Sequence, residues 1–208
     1  VFRQPMSRIS CLFGAAALGL VGALPSGPGI ITDSEIKEIA IAVPPPVATF
    51  LLASETTAAN VIEHQKRVNT NTIQLVDALA DHSYEAIRAS LPGVKIVQVI
   101  HVLDDKSVEE ACIVAESVDA VLLDSGNPNL AVKELGGTGR THNWNLSRKI
   151  VEQCGKPVFL AGGINAENVR EAFERVGPFG FDLCSSVRTN GKLDPFKLEA
   201  FFAAVDSI

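Results

Sequence analysis

The sequence contains no basic run longer than the pairs Lys66-Arg67 and Arg148-Lys149, and its formal charge is −6. A phosphate backbone is held chiefly by clustered Lys and Arg, so nucleic acid is excluded as the main partner. The four cysteines, Cys11, Cys112, Cys154 and Cys184, form no CxxC and no Cys/His spacing suited to a metal. That usage favours a reduced, cytoplasmic chain without a disulfide framework. No linker or low-complexity tract breaks the 208 residues, so one domain is expected over the whole length, with residues 1–13 as an atypical N-terminal segment. With 47% hydrophobic and 20% charged residues, the composition is that of an ordinary globular protein.

Long apolar runs are also scarce. The one from Ile9 to Leu24 follows Arg3 and Arg8 and has the outline of a secretory signal peptide. It is short and broken by glycines for a membrane span, so no membrane partner is expected. Its second half, Ala17–Ala23, has a better use as the first of a series of buried strands.

The others in that series are Val47–Ala53, Thr72–Val76, Lys95–His101, Ala120–Asp124, Pro157–Ala161 and Gly180–Cys184. All are short apolar runs without in/out alternation, as expected of parallel strands covered by helices. Helices are expected between them. Thr32 and Glu35 have capping-box spacing, and Ile36, Ile39, Ala40 and Val43 follow on one face. Asn165 can cap a stretch carrying Val169, Ala172, Phe173 and Val176. Asp194-Pro195 opens a helix with Leu198, Phe201 and Phe202 as its stripe. Further helices are predicted over 57–68, 83–90, 105–116 and 145–154. Seven strand–helix units admit an open doubly wound sheet or a closed barrel, and no GxGxxG follows the first strand to support the former.

The polar and glycine residues at the ends of the later strands are more informative. Asp124 ends an otherwise apolar strand. Gly136-Gly137-Thr138-Gly139 precedes Arg140, and such glycines let backbone N–H groups approach an anion. Gly162-Gly163 leads into a helix whose first N–H groups can face a phosphate. Asp182-Leu183-Cys184-Ser185-Ser186 ends the last strand with hydroxyls and amides. Singly, these read as well as a flexible loop, a tight turn or a helix cap. In this order, at successive strand ends, they point to a phosphate site on a barrel.

The stretches LLDSGNP, LGGTGRTHNW, VFLAGGINAENV, FDLCSSV and GKLD resemble the C-terminal half of the phosphoribosylanthranilate isomerase family. The match is strong over 119–206 and fainter through Gly14–Ile31, Thr49–Glu55 and Gln74–Leu75. The resemblance implies an α/β fold of the (β/α)8 TIM-barrel class, with an incomplete first strand–helix unit. It implies an Amadori rearrangement of N-(5'-phosphoribosyl)anthranilate in tryptophan biosynthesis, with no cofactor. On that resemblance Asp124 is the catalytic acid. The phosphate would be held by Gly136, Gly137, Thr138, Gly139, Gly162, Gly163, Cys184, Ser185 and Ser186.

Several positions depart from the family pattern. The family's base is a cysteine in a KxCG motif, which this sequence does not contain; Cys11 lies only three residues before Gly14 and reads as a small buried hydrophobe. The arginine that pairs with the anthranilate carboxylate is absent from Pro25-Ser26-Gly27-Pro28-Gly29-Ile30. The family's VQLHG strand end is replaced by Ile73-Gln74-Leu75-Val76-Asp77, and Asn143 stands for an aspartate before Trp144. Gln74, Asp77 and His101 are the remaining pocket candidates, although His101 reads more readily as a strand-end histidine satisfied by the fold. Alternatives to the isomerase are a related barrel acting on another phosphorylated sugar, or a non-catalytic phosphate-binding relative. The expected partner is a phosphorylated small molecule. A clipped first strand at Val1-Phe2 or a gap beside the eighth strand would expose an edge, which a homodimer contact could cover.

Overall fold

The computed structural model describes residues 13–24, 29–80, 82–127, 129–130 and 139–208. Strands and helices alternate in the order β1 (Ala17–Val21), α1 (Asp33–Ala42), β2 (Ala48–Ala53), α2 (Ala58–Val68), β3 (Thr72–Leu75) and α3 (Tyr84–Ser90). There follow β4 (Lys95–His101), α4 (Lys106–Ala115), β5 (Ala120–Asp124), α5 (Trp144–Gln153), β6 (Val158–Leu160), α6 (Val169–Val176) and β7 (Gly180–Phe181). A 3-10 turn (Ser185–Val187), a two-stranded hairpin of β8 (Arg188–Thr189) and β9 (Lys192–Leu193), and α7 (Pro195–Asp206) complete the chain. Each expected strand is present, β4 and β5 with the expected bounds and the others shorter by one to three residues, and each expected helix is present within two residues except α6. The suggested strand at Val1-Phe2 lies outside the described residues.

Strands β1 to β7 are hydrogen-bonded in strict sequence order in one sheet, and every pairing in register is parallel. A doubly wound sheet reverses its strand order at a switch point. Sequential order has no such point and is the order of a (β/α) barrel. The described residues up to Gln98 form one compact unit and those from Val99 onward a second.

In the first unit the core is aliphatic. Leu51, Ile73, Leu75 and Ile96 from the strands are fully buried, as are Ile36, Val61 and Val68 from the helices. Ile36 and Ile39 are buried on α1, and the Thr32–Glu35 capping box forms as expected, each side chain bonding the other's backbone. The N-terminal ends of the strands are stitched by polar groups. Thr49 N–H donates to Asn71 Oδ1 at 2.9 Å, and Asn71 N–H donates to Thr49 Oγ1 at 3.2 Å.

A charged cluster joins the other ends. His64, on α2 and only 3% exposed, places Nδ1 2.7 Å from Glu55 Oε1 and Nε2 3.2 Å from Asp33 Oδ1. Arg67 Nε also reaches Asp33, at 2.7 Å. The imidazole packs on bare backbone: a Cβ at Gly22 would lie 2.8 Å from His64 Cε1 and 3.2 Å from Leu52 O. One ring therefore ties the start of α1 to the loop after β2.

The second unit repeats the pattern with β5 buried throughout and Val158 and Leu160 buried on β6. On α6, Val169, Ala172 and Val176 are buried, whereas Phe173 is 43% exposed. The stripe is thus narrower than the sequence spacing suggests. Asn165 does not directly precede α6. Its Oδ1 accepts from the N–H groups of Glu167 and Asn168, so it caps the turn that leads into the helix, which begins at Val169. Asp194 caps α7 as expected, accepting from Phe196 N–H and Lys197 N–H with Pro195 in the first turn.

The Glu55 carboxylate beside it, through hydrogen bonding and charge, raises the pKa of His64 above its usual value against the opposing effect of burial. The folded state therefore binds a proton that the unfolded state releases near pH 6.5. The stabilisation is complete below that pH and is lost as pH rises through the raised value. His64→Gln should lower unfolding free energy by about 1–3 kcal/mol at pH 6. Denaturant titrations of both proteins should show this gap narrowing by pH 9.

Candidate active site

Register places the site's side chains. Leu123 pairs with Leu160, and Leu160 with Phe181, across β5, β6 and β7. The next residue on each strand, Asp124, Ala161 and Asp182, therefore forms one row at the C-terminal ends. Backbone bonds hold that row: Ala161 N–H donates to Leu123 O at 2.8 Å, and Asp182 N–H to Leu160 O at 3.0 Å. Residues at one level of a parallel sheet point to one face. All three line the same cleft, with Gly139, Gly162, Gly163, Ile164, Leu183, Cys184, Ser185 and Ser186 around them.

The wall after β6 has no room for side chains. Gly162 and Gly163 have φ of +77° and +67°. A Cβ at Gly163 would lie 2.8 Å from Arg140 C, 2.9 Å from Thr141 N and 3.0 Å from Gly139 O; one at Gly162 would lie 3.0 Å from Ser125 Oγ. The loop carrying Gly139 thus rests on the glycine pair, and Gly139 itself faces Ser185 Oγ. Asn165 and Asn168 brace the pair from behind. Both side-chain amides donate to Gly163 O, at 3.3 and 2.9 Å, and Asn165 N–H donates to Asn168 Oδ1 at 2.9 Å. Several N–H groups at the start of this helix are consequently spent on the two asparagines, leaving the glycine turn as the part that lines the cleft.

Burial dominates the electrostatics. Asp124 is 6% exposed, and burial pushes its carboxyl above the usual range although Ser125 N–H donates to Oδ1 at 2.8 Å and His101 pulls the other way. Asp182 keeps some surface in the cleft, but its carboxyl is closely surrounded by protein. That enclosure and the neighbouring Asp124 charge raise it to about 6. The Cys184 thiol is likewise pushed up by burial and stays protonated at neutral pH. His142, enclosed after the glycine loop with Nε2 2.8 Å from Ser147 Oγ, falls to about 4 by burial and is neutral.

The structure brings Asp124, Gly139, Gly162, Gly163, Cys184, Ser185 and Ser186 together in one cleft. Gly136, Gly137, Thr138 and Cys11 lie outside the described residues. His101 ends β4 within electrostatic reach of Asp124, and its carbonyl accepts from Ser107 Oγ at 3.2 Å. Gln74 and Asp77 belong to the first unit. Gln74 is buried in β3, and Asp77 follows it, its carboxylate accepting from Ala78 N–H and its carbonyl from Gln98 Nε2. Sequence reasoning assigned no role of its own to Asp182. The signal was available as a strand-end carboxylate, but only register shows it level with Asp124. Among the described residues no group of three or more His, Cys, Asp and Glu side chains could hold a metal ion. Likewise no helix among them is long and apolar enough to cross a membrane.

Sequential parallel strands with a glycine-walled, acid-bearing cleft at their C-terminal ends define a (β/α) barrel with its candidate site at the mouth. The known proteins narrow this class. A profile of the family described as N-(5'phosphoribosyl)anthranilate (PRA) isomerase matches residues 22–204. N-(5'-phosphoribosyl)anthranilate isomerase of Methanocella arvoryzae is 31% identical over 195 residues, 93% of this chain and 89% of the relative. That of Haloferax volcanii is 33% identical over 193 residues, 92% of this chain and 83% of the relative. Among solved structures, phosphoribosyl anthranilate isomerase of Thermus thermophilus superposes with a TM-score of 0.81 at 23% identity, covering 100% of this chain and 96% of the other. The enzyme of Thermotoga maritima gives 0.80 at 24% identity, covering 99% and 95%. The chain belongs to the N-(5'-phosphoribosyl)anthranilate isomerase family, and its fold is the (β/α)8 barrel.

Two stability measurements test the site's construction. Gly163→Ala should lower unfolding free energy by about 2–4 kcal/mol, combining a left-handed backbone with a backbone clash. Gly155→Ala, at φ +64° with nothing within 4 Å of its Cβ, isolates the first effect and should lose only about 1 kcal/mol. For Asp182, the folded state holds its proton to about 6 and the unfolded state releases it near 3.8. Its contribution to stability therefore falls as pH rises through that window. Asp182→Asn should be more stable than the native protein by about 1–3 kcal/mol at pH 7, and the difference should close by pH 4.

Proposed function

We propose that this chain isomerises N-(5'-phosphoribosyl)anthranilate to its aminoketose, with Asp124 as the acid. The observation that supports this most is the position of Asp124: a buried carboxyl of raised pKa, sharing one cleft with the glycine pair and the Ser185-Ser186 turn. An Amadori rearrangement opens the ribose by protonating its ring oxygen and then removes a proton from C2'. A carboxyl group whose pKa is raised holds its proton more readily and is suited to the first step. The phosphate of the substrate would rest on Gly139, Gly162, Gly163, Ser185 and Ser186, together with Gly136, Gly137 and Thr138. It would anchor the sugar at one end while the chemistry proceeds at the other. Similar proteins carry this activity in their names, and one structure of the fold holds reduced 1-(o-carboxyphenylamino)-1-deoxyribulose 5-phosphate.

A second reading, another phosphorylated aminosugar as substrate, is favoured by one sequence fact. No arginine stands in residues 25–30 to meet an aromatic carboxylate. Steady-state turnover of phosphoribosylanthranilate by the purified chain decides between them. The native chain should convert it, and Asp124→Asn should be slower by roughly 10²- to 10⁴-fold with little change in KM. A native chain that binds the phosphorylated product analogue yet gives no turnover would sink the isomerase reading.

A further inference from the structure

Resting on the isomerase reading, we propose that Asp182 is the catalytic base, taking the C2' proton from the face of the sugar opposite Asp124. The register is the ground for this. Asp124 and Asp182 stand in one row, on strands two apart, with Ala161 between them. Two strand spacings separate their backbones by roughly 10 Å. Both side chains leave the sheet on the same face and line the same cleft. The residue between them is an alanine, so no side chain of length fills the space where a sugar would lie. The glycine turn that follows Ala161 lines the same cleft, and a phosphate seated there would hold the C1' and C2' end of the ribose over this row.

Among the described residues, the other cleft groups do not compete for the role. Cys184 carries a thiol that burial keeps protonated, and the Ser185 and Ser186 hydroxyls are far weaker bases than a carboxylate. Asp182, raised to about 6, is largely ionised at neutral pH and can accept a proton, while Asp124 keeps the acid role of the isomerase reading. Two carboxyls that feel each other's charge titrate apart, and such a pair can place one acid and one base in a single site.

The proton bookkeeping closes on these two groups. Asp124 gives its proton to the ring oxygen as the C1'–O bond breaks and the nitrogen lone pair forms C1'=N. Asp182 takes the C2' proton, and the C–H electron pair becomes C1'=C2' as the pair of the C=N bond returns to nitrogen. Asp182 then returns a proton to C1', and the 2'-hydroxyl proton passes to Asp124 as the C2' carbonyl forms. Both carboxyls end as they began, and no oxidant, reductant or co-reactant is consumed.

The test compares the native chain, Asp182→Asn and Asp182→Glu in steady-state turnover of phosphoribosylanthranilate between pH 5 and 9. Calorimetric binding of the reduced product analogue is followed in parallel. The expected result for Asp182→Asn is a loss of kcat of roughly 10²- to 10⁴-fold with analogue affinity kept within about threefold. Asp182→Glu should recover part of the loss, with the acidic limb of its kcat/KM profile displaced from the native position. A native chain that turns over while Asp182→Asn keeps kcat within about tenfold removes the base assignment and leaves the isomerase reading standing. Loss of analogue binding in step with kcat also overturns it, since that marks a structural role. A native chain without turnover removes both.

Discussion

The contact on which the site depends is between two pieces of backbone. The loop through Gly139, Arg140 and Thr141 lies directly against Gly162 and Gly163, closer than any Cβ would permit. Left-handed φ angles turn the chain sharply after β6, and the lack of side chains lets the preceding loop settle onto that turn. Asn165 and Asn168 then fix the turn from outside by bonding Gly163 O. Everything at the mouth takes its position from this stack: Ser185 faces Gly139, and Ser125 sits against Gly162 and bonds the carboxylate of Asp124 through its backbone.

Carboxyl placement is the second constraint, and it works against stability. Burying a carboxyl disfavours its charge, and a second one in the same cleft adds repulsion. Asp124 and Asp182 both respond by holding protons more tightly than an exposed aspartate does. A fold gains nothing structurally from that arrangement, whereas proton transfer does, because a group titrating near the working pH can both give and take. The two acids are tolerated because the row they occupy ends strands whose inner residues, Leu123 and Leu160, are wholly buried. The His64 cluster is the opposite case. There, the carboxylates of Glu55 and Asp33 flank one ring, Arg67 pairs with Asp33, and the pairing supports the fold.

Much of this was legible in the sequence because it rests on local rules. The boundaries of β4 and β5 followed from apolar runs that lack alternation, since those strands are buried on both faces. The starts of α1 and α7 followed from Thr32–Glu35 and Asp194-Pro195, where capping is decided within four residues. Local rules misplaced the start of α6. Asn165 has the capping chemistry, but the glycine turn before it uses both asparagines, and the helix begins one turn later. Phe173 fits the helical period yet is exposed, because period tells which face a residue is on and not how far the neighbouring layer reaches over it.

The sequence by itself determined the alternation of strands and helices, the glycines of the turn after β6 and the carboxylate that ends β5. Each depends on residues close together in the chain. Tertiary structure alone decided two matters. Strand order separated barrel from doubly wound sheet, because both architectures use the same local units and differ only in which strands pair. Register set Asp182 level with Asp124, because two residues 58 positions apart become neighbours only through the pairing of β5, β6 and β7.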